Sequence, residues 1–141
     1  SSLNNVSLGD NVKIAKYCSI YGAEENILII GSGTYVGMFT LINGFAEKIK
    51  IGSNVSIAQH VNIMADSGPN ASELMQKYFP LVSGPVIIGD HSWIGANSVI
   101  MPGVELGEFC VVEANSFVNR SFPPYSVIGG NPAKIIKRLE K

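Results

Sequence analysis

The sequence predicts an all-β fold, a parallel β-helix of about five coils in a single domain spanning residues 1–141. Two observations predict it. An aliphatic residue recurs at every sixth position over long stretches, and Gly, Asn or Asp occupy the intervening turns. A period of six fits neither an amphipathic helix nor a simple alternating strand. It does fit short strands joined by sharp turns, because Gly, Asn and Asp tolerate the positive φ angles that such turns need.

The clearest run of the repeat lies in the second half of the chain, where the aliphatic residues are Ile88, Ile94, Ile100, Leu106, Val112 and Val118. The first half contains the same pattern in three sets, which are Leu8, Ile14 and Ile20, then Ile30, Val36 and Ile42, then Ile51, Ile57 and Ile63. Three units of six close one triangular coil. Five coils therefore begin at Leu8, Ile30, Ile51, Ile88 and Leu106. Their stacked aliphatic rows would form a core that runs the length of the solenoid.

Extra residues interrupt the repeat at three places. Short insertions fall near 23–26 and 45–48, and a long one runs from about residue 66 to 85, with a turn at 67–70 and a helical turn predicted at 73–78. Insertions in a solenoid project as loops from one corner and commonly carry the binding function. After the last coil, Asn131 and Pro132 have the residue types of a helix N-cap and first turn. We therefore predict a short C-terminal helix through Lys141.

Composition and charge exclude several classes of function. The formal net charge is −1 and charged residues make up 15% of the chain, so no nucleic-acid partner is expected. No apolar run approaches the roughly 20 residues that a membrane span needs, and residues 1–5 lack the features of a signal peptide. Cys18 and Cys110 are too few for a disulfide framework and lack metal-site spacing. We expect a cytoplasmic protein with two buried thiols.

Two segments resemble the hexapeptide-repeat acyltransferases, the left-handed β-helix superfamily. They are residues 88–97 (IGDHSWIGAN) and residues 123–134 (PPYSVIGGNPAK), and they resemble the branch with galactoside, maltose and capsular or O-antigen sugar acetyltransferases. The resemblance implies a left-handed coil, a homotrimer and a CoA cleft between neighbouring subunits. It also implies transfer of an acyl group, typically acetyl from acetyl-CoA, to a small-molecule acceptor such as a sugar or nucleotide-sugar of surface polysaccharide synthesis.

The resemblance also implies where CoA lies. In the family the pantetheine arm passes the corner after the second hexapeptide of the late coils. The corresponding residues here are Gly95, Ala96 and Asn97, then Glu113, Ala114 and Asn115, and the small ones among them would let an extended chain approach the backbone. The tail cations Lys134, Lys137 and Arg138 would lie near the nucleotide phosphates. The alternative is that the small residues merely suit tight turns and that the cations form a solvated surface.

Acyl transfer from a thioester needs a base for the acceptor proton and donors for the oxyanion. Similar acetyltransferases carry the base as a His on the loop leaving the third coil, but residues 63–70 here contain no His. His60, at the second corner of coil three, is the candidate base; a structural turn residue and an acceptor-binding residue are the alternatives. Asp66 could orient the imidazole or act as base itself, and the favoured alternative is a solvated loop carboxylate. His91 is interpreted as a structural turn residue, since His tolerates positive φ better than most residues.

The acceptor site is less well defined. The family's acceptor-binding Asn aligns with Gly37, which argues against a simple galactoside. Candidate acceptor contacts are Asn43, Ser67 and Asn70, and Trp93 either lines the cleft or only packs beside it.

Two other classes of function were weighed. The missing loop His makes a non-catalytic trimeric module the main alternative to an enzyme. A γ-type carbonic anhydrase would need three His per metal, and the chain has only two, so no metal is expected. A trimer is favoured further by apolar residues at outward positions, namely Met38, Phe39, Leu41, Met64 and Phe109.

Overall fold

The computed structural model describes residues 2–140 and shows a chain that winds through three parallel β-sheets. Sheet A contains β1 (Ser2–Asn4), β4 (Ser19–Tyr21), β7 (Leu41–Asn43), β10 (Asn62–Met64), β15 (Val99–Ile100) and β18 (Phe117–Val118). Sheet B contains β2 (Val6–Leu8), β5 (Leu28–Ile30), β8 (Ile49–Ile51), β13 (Val86–Ile88) and β16 (Glu105–Leu106). Sheet C contains β3 (Lys13–Ile14), β6 (Tyr35–Val36), β9 (Ser56–Ile57), β14 (Trp93–Ile94), β17 (Val111–Val112), β19 (Ser126–Gly130) and β20 (Ala133–Arg138).

Each coil takes one strand from sheet B, then sheet C, then sheet A, which confirms the predicted parallel β-helix. Sheet B has five strands, and each predicted coil start lies at the end of one of them. Strand β1 precedes the first coil and β19 follows the last, so the solenoid has about six turns. We name its three edges the B–C, C–A and A–B corners, after the sheets that they join.

The interior is filled by the predicted aliphatic rows. Isoleucines such as Ile57, Ile94 and Ile100 are completely buried, and each contributes about 1.5–3 kcal/mol of hydrophobic stabilisation. A second inward row, at the start of each strand of sheets C and A, carries small residues. Where that residue is Thr or Ser, its hydroxyl bonds the next coil: Thr34 Oγ1 donates to the Gly52 carbonyl at 2.7 Å and accepts from the Val55 N–H at 3.1 Å. The two cysteines belong to this row and are buried free thiols.

The turns at the B–C and C–A corners place residues in the left-handed region of the backbone. Asn11, Asn54, Asn97 and Asn115 have φ between 55° and 62°, and His60 and His91 lie at 57° and 63°. Asn reaches this region more easily than most residues. The positive φ angles therefore confirm the turn assignment that the sequence pattern predicts.

All three insertions leave the solenoid at the A–B corner. This agrees with the prediction that the insertions project from one corner. The long one begins and ends as an antiparallel pair, β11 (Asp66–Ser67) with β12 (Val82–Ser83), and carries a short helix, α1 (Glu73–Gln76). The Ser72 hydroxyl caps α1 by accepting from the Met75 N–H at 3.0 Å. No helix among residues 2–140 is long and apolar enough to cross a membrane.

The predicted C-terminal helix is wrong. Residues 133–138 form strand β20, which pairs antiparallel with β19 at the edge of sheet C, and Asn131 and Pro132 form the turn between the two strands. The local motif resembled a helix start, but β19 leaves an unpaired edge whose backbone groups β20 satisfies. Ile135 and Ile136, both β-branched, also favour a strand over a helix.

Candidate functional site

A groove of about 500 Å³ lies on the outer side of sheet C, where coils three to five turn into the C–A corner. Its lining residues are Ala58, Trp93, Gly95, Ala96, Val111, Val112, Glu113 and Ala114. The structure therefore brings together four predicted site residues, and Trp93 lines the groove with 59% of its surface exposed. Asn97 lies one residue beyond Ala96 at the rim. The groove has the size of a small-molecule site and is mostly apolar, as such sites are.

Gly95 is required by the spacing of the coils as well as by the groove. A Cβ atom on this residue would lie 2.5 Å from the Ala114 backbone nitrogen and 2.7 Å from the Val112 carbonyl oxygen. Both atoms belong to the next coil and cannot move without shifting the sheet. The close approach of successive coils therefore accounts for this glycine on its own, whereas Ala96 and Ala114 are the small residues that keep the groove open.

His60 lies in a column of left-handed residues along the C–A corner, which consists of Tyr17, Phe39, His60, Asn97 and Asn115. From Phe39 onwards, each residue in the column donates its N–H group to a carbonyl of the coil before, as from His60 to Met38 at 2.9 Å. The rings of Tyr17 and Phe39 stack at 5.1 Å between centroids, and those of Phe39 and His60 at 4.9 Å and 11°. His60 is exposed. In the column it lies between the aromatic residues of the lower coils and Asn97 at the rim of the groove.

His91 lies in the equivalent column at the B–C corner, with Asn11, Asn54, Phe109 and Tyr125. Its ring stacks on Phe109 at 4.7 Å, and Phe109 stacks on Tyr125 at 5.1 Å. None of these residues lines the groove. The structure thus separates the two histidines, as the sequence pattern predicts.

Asp66 lies far from His60 within the same chain. Strand β10 runs between them, and six residues of extended chain span roughly 20 Å. Asp66 instead contacts Asn43, whose Nδ2 donates to Asp66 Oδ1 at 3.4 Å, and Ser67 pairs with Val82 in the base of the long insertion. Asn70 is exposed in the same insertion. These candidates form a second group at the A–B corner, so one chain does not unite them with the groove.

The tail cations are distributed along β20. Lys134 pairs with Gly129, which packs against the groove residue Glu113. Lys137 pairs with Val127, which pairs with the groove residue Val111. Arg138 lies at the B–C end, where its guanidinium donates to the carbonyls of Pro124 at 2.7 Å and Tyr125 at 3.3 Å.

The N–H groups of Ala96 and Ala114, each one residue before a left-handed position, donate to no other residue within 2–140. At the B–C corner two residues in this position donate to a side chain of the next coil, from Asp10 N to Ser32 Oγ at 2.9 Å and from Ser53 N to Asp90 Oδ1 at 2.8 Å. The N–H groups of Ser32, Asp90 and Glu108 at that corner are as open as those of the groove.

The sequence pattern missed several members of the site. The stack of Tyr17 and Phe39 beneath His60 was not predicted, although Phe39 precedes His60 in the column by one coil and Tyr17 by two. The walls formed by Ala58 and Val111 were missed too. No group of three or more His, Cys, Asp or Glu side chains that could hold a metal ion occurs within residues 2–140.

Known proteins share this architecture. Residues 85–120 match the family model described as the hexapeptide repeat of succinyl-transferase. YvoF of Bacillus subtilis, whose name assigns it to the acetyltransferases, is 38% identical over 137 residues, which cover 92% of this chain and 75% of that protein. This chain belongs to the hexapeptide-repeat acetyltransferases.

Two other similar proteins are named for different kinds of acyl transfer. The galactoside O-acetyltransferase of Escherichia coli is 32% identical over 121 residues, covering 85% of this chain but only 58% of that protein. The N-acyltransferase AntD from Bacillus cereus, solved with dTDP and 3-hydroxybutyryl-CoA, superposes with a TM-score of 0.85 at 27% identity, covering 99% of this chain and 77% of that one. Both O- and N-acyl transfer therefore occur on this fold.

Proposed function

We propose that this chain transfers an acetyl group from acetyl-CoA to a hydroxyl or amino group of a sugar or nucleotide-sugar, as in surface polysaccharide synthesis. The observation that carries the proposal is the groove of Ala96 and Ala114 with open N–H donors, bordered by a His, in a family whose members use CoA thioesters. Trp93 and Val111 supply apolar walls for a pantetheine arm, and the small residues admit an extended chain close to the backbone.

The proposed chemistry is direct transfer. One imidazole nitrogen of His60 accepts the proton of the acceptor hydroxyl or amine as its oxygen or nitrogen attacks the thioester carbonyl carbon. The new C–O or C–N bond forms, and the C–S bond then breaks. The departing CoA sulfur takes up the proton that His60 holds. The open N–H groups of Ala96 and Ala114 are the available donors for the transient oxyanion.

The acceptor would bind between chains. Asn43, Asp66, Ser67 and Asn70 lie at the A–B corner, away from the groove of their own chain, and can reach a groove only from another copy. The N–acyltransferase AntD binds dTDP, and a galactoside O-acetyltransferase is a relative, which supports a sugar or nucleotide-sugar acceptor. Lys134, beside Glu113, and Lys137 are the cations proposed for the CoA phosphates, whereas Arg138 is occupied by backbone carbonyls.

Exposed apolar surface supports a homotrimer. Met38, Phe39 and Leu41 are 38–49% exposed, while the other two predicted residues, Met64 and Phe109, are partly covered within the chain. The long insertion adds Leu74, Met75, Tyr78, Phe79 and Leu81, all exposed. Surface of this kind is typical of subunit contacts. We expect a trimer of about 45 kDa, three times the 15.1 kDa of the chain.

Light scattering coupled to size exclusion tests the assembly. A mass near three chains at micromolar concentration is expected. A stable monomer would contradict the two-chain cleft, because the acceptor contacts would then have no groove to face.

Calorimetric titration with acetyl-CoA tests the donor site, and a matched pair of variants localises it. Ala96→Phe fills the groove and should weaken binding by about tenfold or more. Glu108→Phe places the same ring at the corresponding position of the B–C corner and should leave binding unchanged. No binding by the wild-type protein would overturn the proposal. Binding without transfer to any amino or hydroxy sugar would instead favour the non-catalytic module.

A further inference from the structure

The imidazole of His60 lies on a stack of aromatic rings. Its ring is nearly parallel to that of Phe39, at 11° and 4.9 Å, and Phe39 in turn lies on Tyr17 at 5.1 Å and 17°. No hydrogen bond to either His60 ring nitrogen occurs within residues 2–140. The contact that the structure gives the imidazole is therefore the face of Phe39, one coil below.

Phe39 and Tyr17 occupy positions where their backbone geometry is unfavourable. Their φ angles are 62° and 63°, and this left-handed region disfavours bulky side chains. Asn fills the same column at 97 and 115 with the same geometry. An aromatic ring at 39 is thus not needed for the turn, and its contribution must come from the ring itself.

Stacking leaves the edge of an imidazole free. Both ring nitrogens lie at that edge, so a base held by its face keeps them open for proton transfer. His60 follows Ala58 of the groove by two residues and stands beside Asn97 at the rim. A tilt of the imidazole ring away from the plane of Phe39 would move both ring nitrogens relative to the groove.

We propose that Phe39, supported by Tyr17, is a positioning residue that fixes the plane of the His60 imidazole against the groove. The inference rests on the proposed role of His60 as the base. Phe39 itself does not line the groove, so it acts on the reaction only through His60.

The chain offers an internal control for this inference. Phe109 stacks on His91 at 4.7 Å and 16°, with a φ of 55°, but at the corner without the groove. Phe39→Asn and Phe109→Asn therefore remove the same ring from the same backbone geometry beside a histidine in the neighbouring coil, below His60 and above His91. Asn suits the left-handed turn, so both variants should fold. Phe39→Tyr retains the ring, as Tyr17 does in the same column.

Steady-state kinetics separate the outcomes. Phe39→Asn should lower kcat by about 10- to 100-fold, the range for a misplaced catalytic group. The KM for acetyl-CoA should change less than about twofold, since the groove is untouched. Phe39→Tyr should retain wild-type kcat, and Phe109→Asn should change neither parameter. Equal losses in Phe39→Asn and Phe109→Asn would overturn the inference, because they would indicate a general effect on stability.

A spectroscopic readout does not depend on activity. The ring current of Phe39 shifts the carbon-bound protons of the His60 imidazole, so Phe39→Asn should move those resonances and leave those of His91 in place. Unmoved His60 resonances, with kcat retained, would show that Phe39 does not orient the ring. His60→Asn distinguishes the two proposals: if it is inactive while Phe39→Asn is fully active, the positioning role is wrong and the base stands. If His60→Asn is itself active, the base assignment fails.

Discussion

The B–C and C–A corners have the same backbone geometry but opposite distributions of side chains. At the C–A corner the aromatic rings occupy the lower coils, and the upper coils carry Ala96 and Ala114. At the B–C corner the lower coils are polar and the rings of His91, Phe109 and Tyr125 occupy the upper coils. The groove lies at the C–A corner. The repeat therefore supplies the same scaffold at both corners, and the small side chains at 96 and 114 shape the groove.

The backbone donors do not separate the two corners. Ser32 and Asp90 carry the oxygens that accept from the Asp10 and Ser53 N–H groups at the B–C corner. The N–H groups of Ser32, Asp90 and Glu108 donate to no other residue within 2–140, like those of Ala96 and Ala114. The difference between the corners therefore lies in the small side chains that shape the groove.

The largest effect on activity is expected from replacing one histidine of the two corners, and the other histidine provides the control. His60→Asn should lower kcat by about 10²- to 10⁴-fold, the usual contribution of a general base. His91→Asn should leave kcat unchanged. Asn occurs naturally in both columns at comparable φ, so neither variant should disturb the turn. Acetyl transfer measured by release of the CoA thiol compares them directly, and similar activities in the two variants would remove His60 from the mechanism.

Much of the fold could be predicted because its signal is periodic. An aliphatic residue every six positions determines which side chains point inward, and the residues that break the period mark the insertions at residues 23–26, 45–48 and 66–85. The C-terminal strand could not be predicted in this way. Asn131 and Pro132 look like a helix start locally, and only the unpaired edge of β19 makes a strand the better partner for residues 133–138.

The candidate site could be predicted where it depends on the same period. Counting along the columns placed His60 with Asn97, and placed Gly95, Ala96 and Ala114 on one corner. The count could not show that Phe39 and Tyr17 stack under His60, because ring planes depend on side-chain rotamers. The count also did not indicate that strand β10 separates Asp66 from His60. The two residues are only six positions apart in sequence, but an extended strand places them far apart in space.

An intermediate effect is expected from the inward hydroxyls that bond successive coils at each corner. Thr34 Oγ1, at the B–C corner, donates at 2.7 Å and accepts at 3.1 Å, whereas Thr40 Oγ1, at the C–A corner, donates at 3.1 Å and accepts at 3.4 Å. Replacing either by Val leaves a buried N–H and carbonyl unpaired, which costs about 1–3 kcal/mol. Thr34→Val should lower the free energy of unfolding more than Thr40→Val.

Urea denaturation at a fixed protein concentration measures both variants. Val55 and Val61 hold the equivalent positions one coil later, so Val fits the space and the comparison isolates the hydrogen bonds. An unchanged unfolding free energy in both variants would show that water replaces the lost partners.

The smallest effect concerns Cys110, which lies in the inward row at the B–C corner. Burial is the main cause that raises the pKa of its thiol, and the Sγ–Pro123 carbonyl contact at 3.2 Å shows how closely the sulfur is enclosed. A raised pKa means that the Cys110 thiol keeps its proton in the folded chain at a pH where it loses that proton in the unfolded chain. The resulting stability is fully present below the ordinary thiol pKa of about 8.5 and decreases as the pH rises through the raised value.

Cys110→Val removes this proton while keeping an apolar side chain, as Val55 does in the same row. The free energy of unfolding of the wild-type protein should therefore fall faster than that of the variant above about pH 8.5, by at most about 1.4 kcal/mol per pH unit for one proton. Between pH 6 and 8 the difference between the two proteins should be constant. Parallel curves up to pH 10 would show that the thiol titrates alike in the folded and unfolded chains, and that the B–C corner does not shield its interior from solvent.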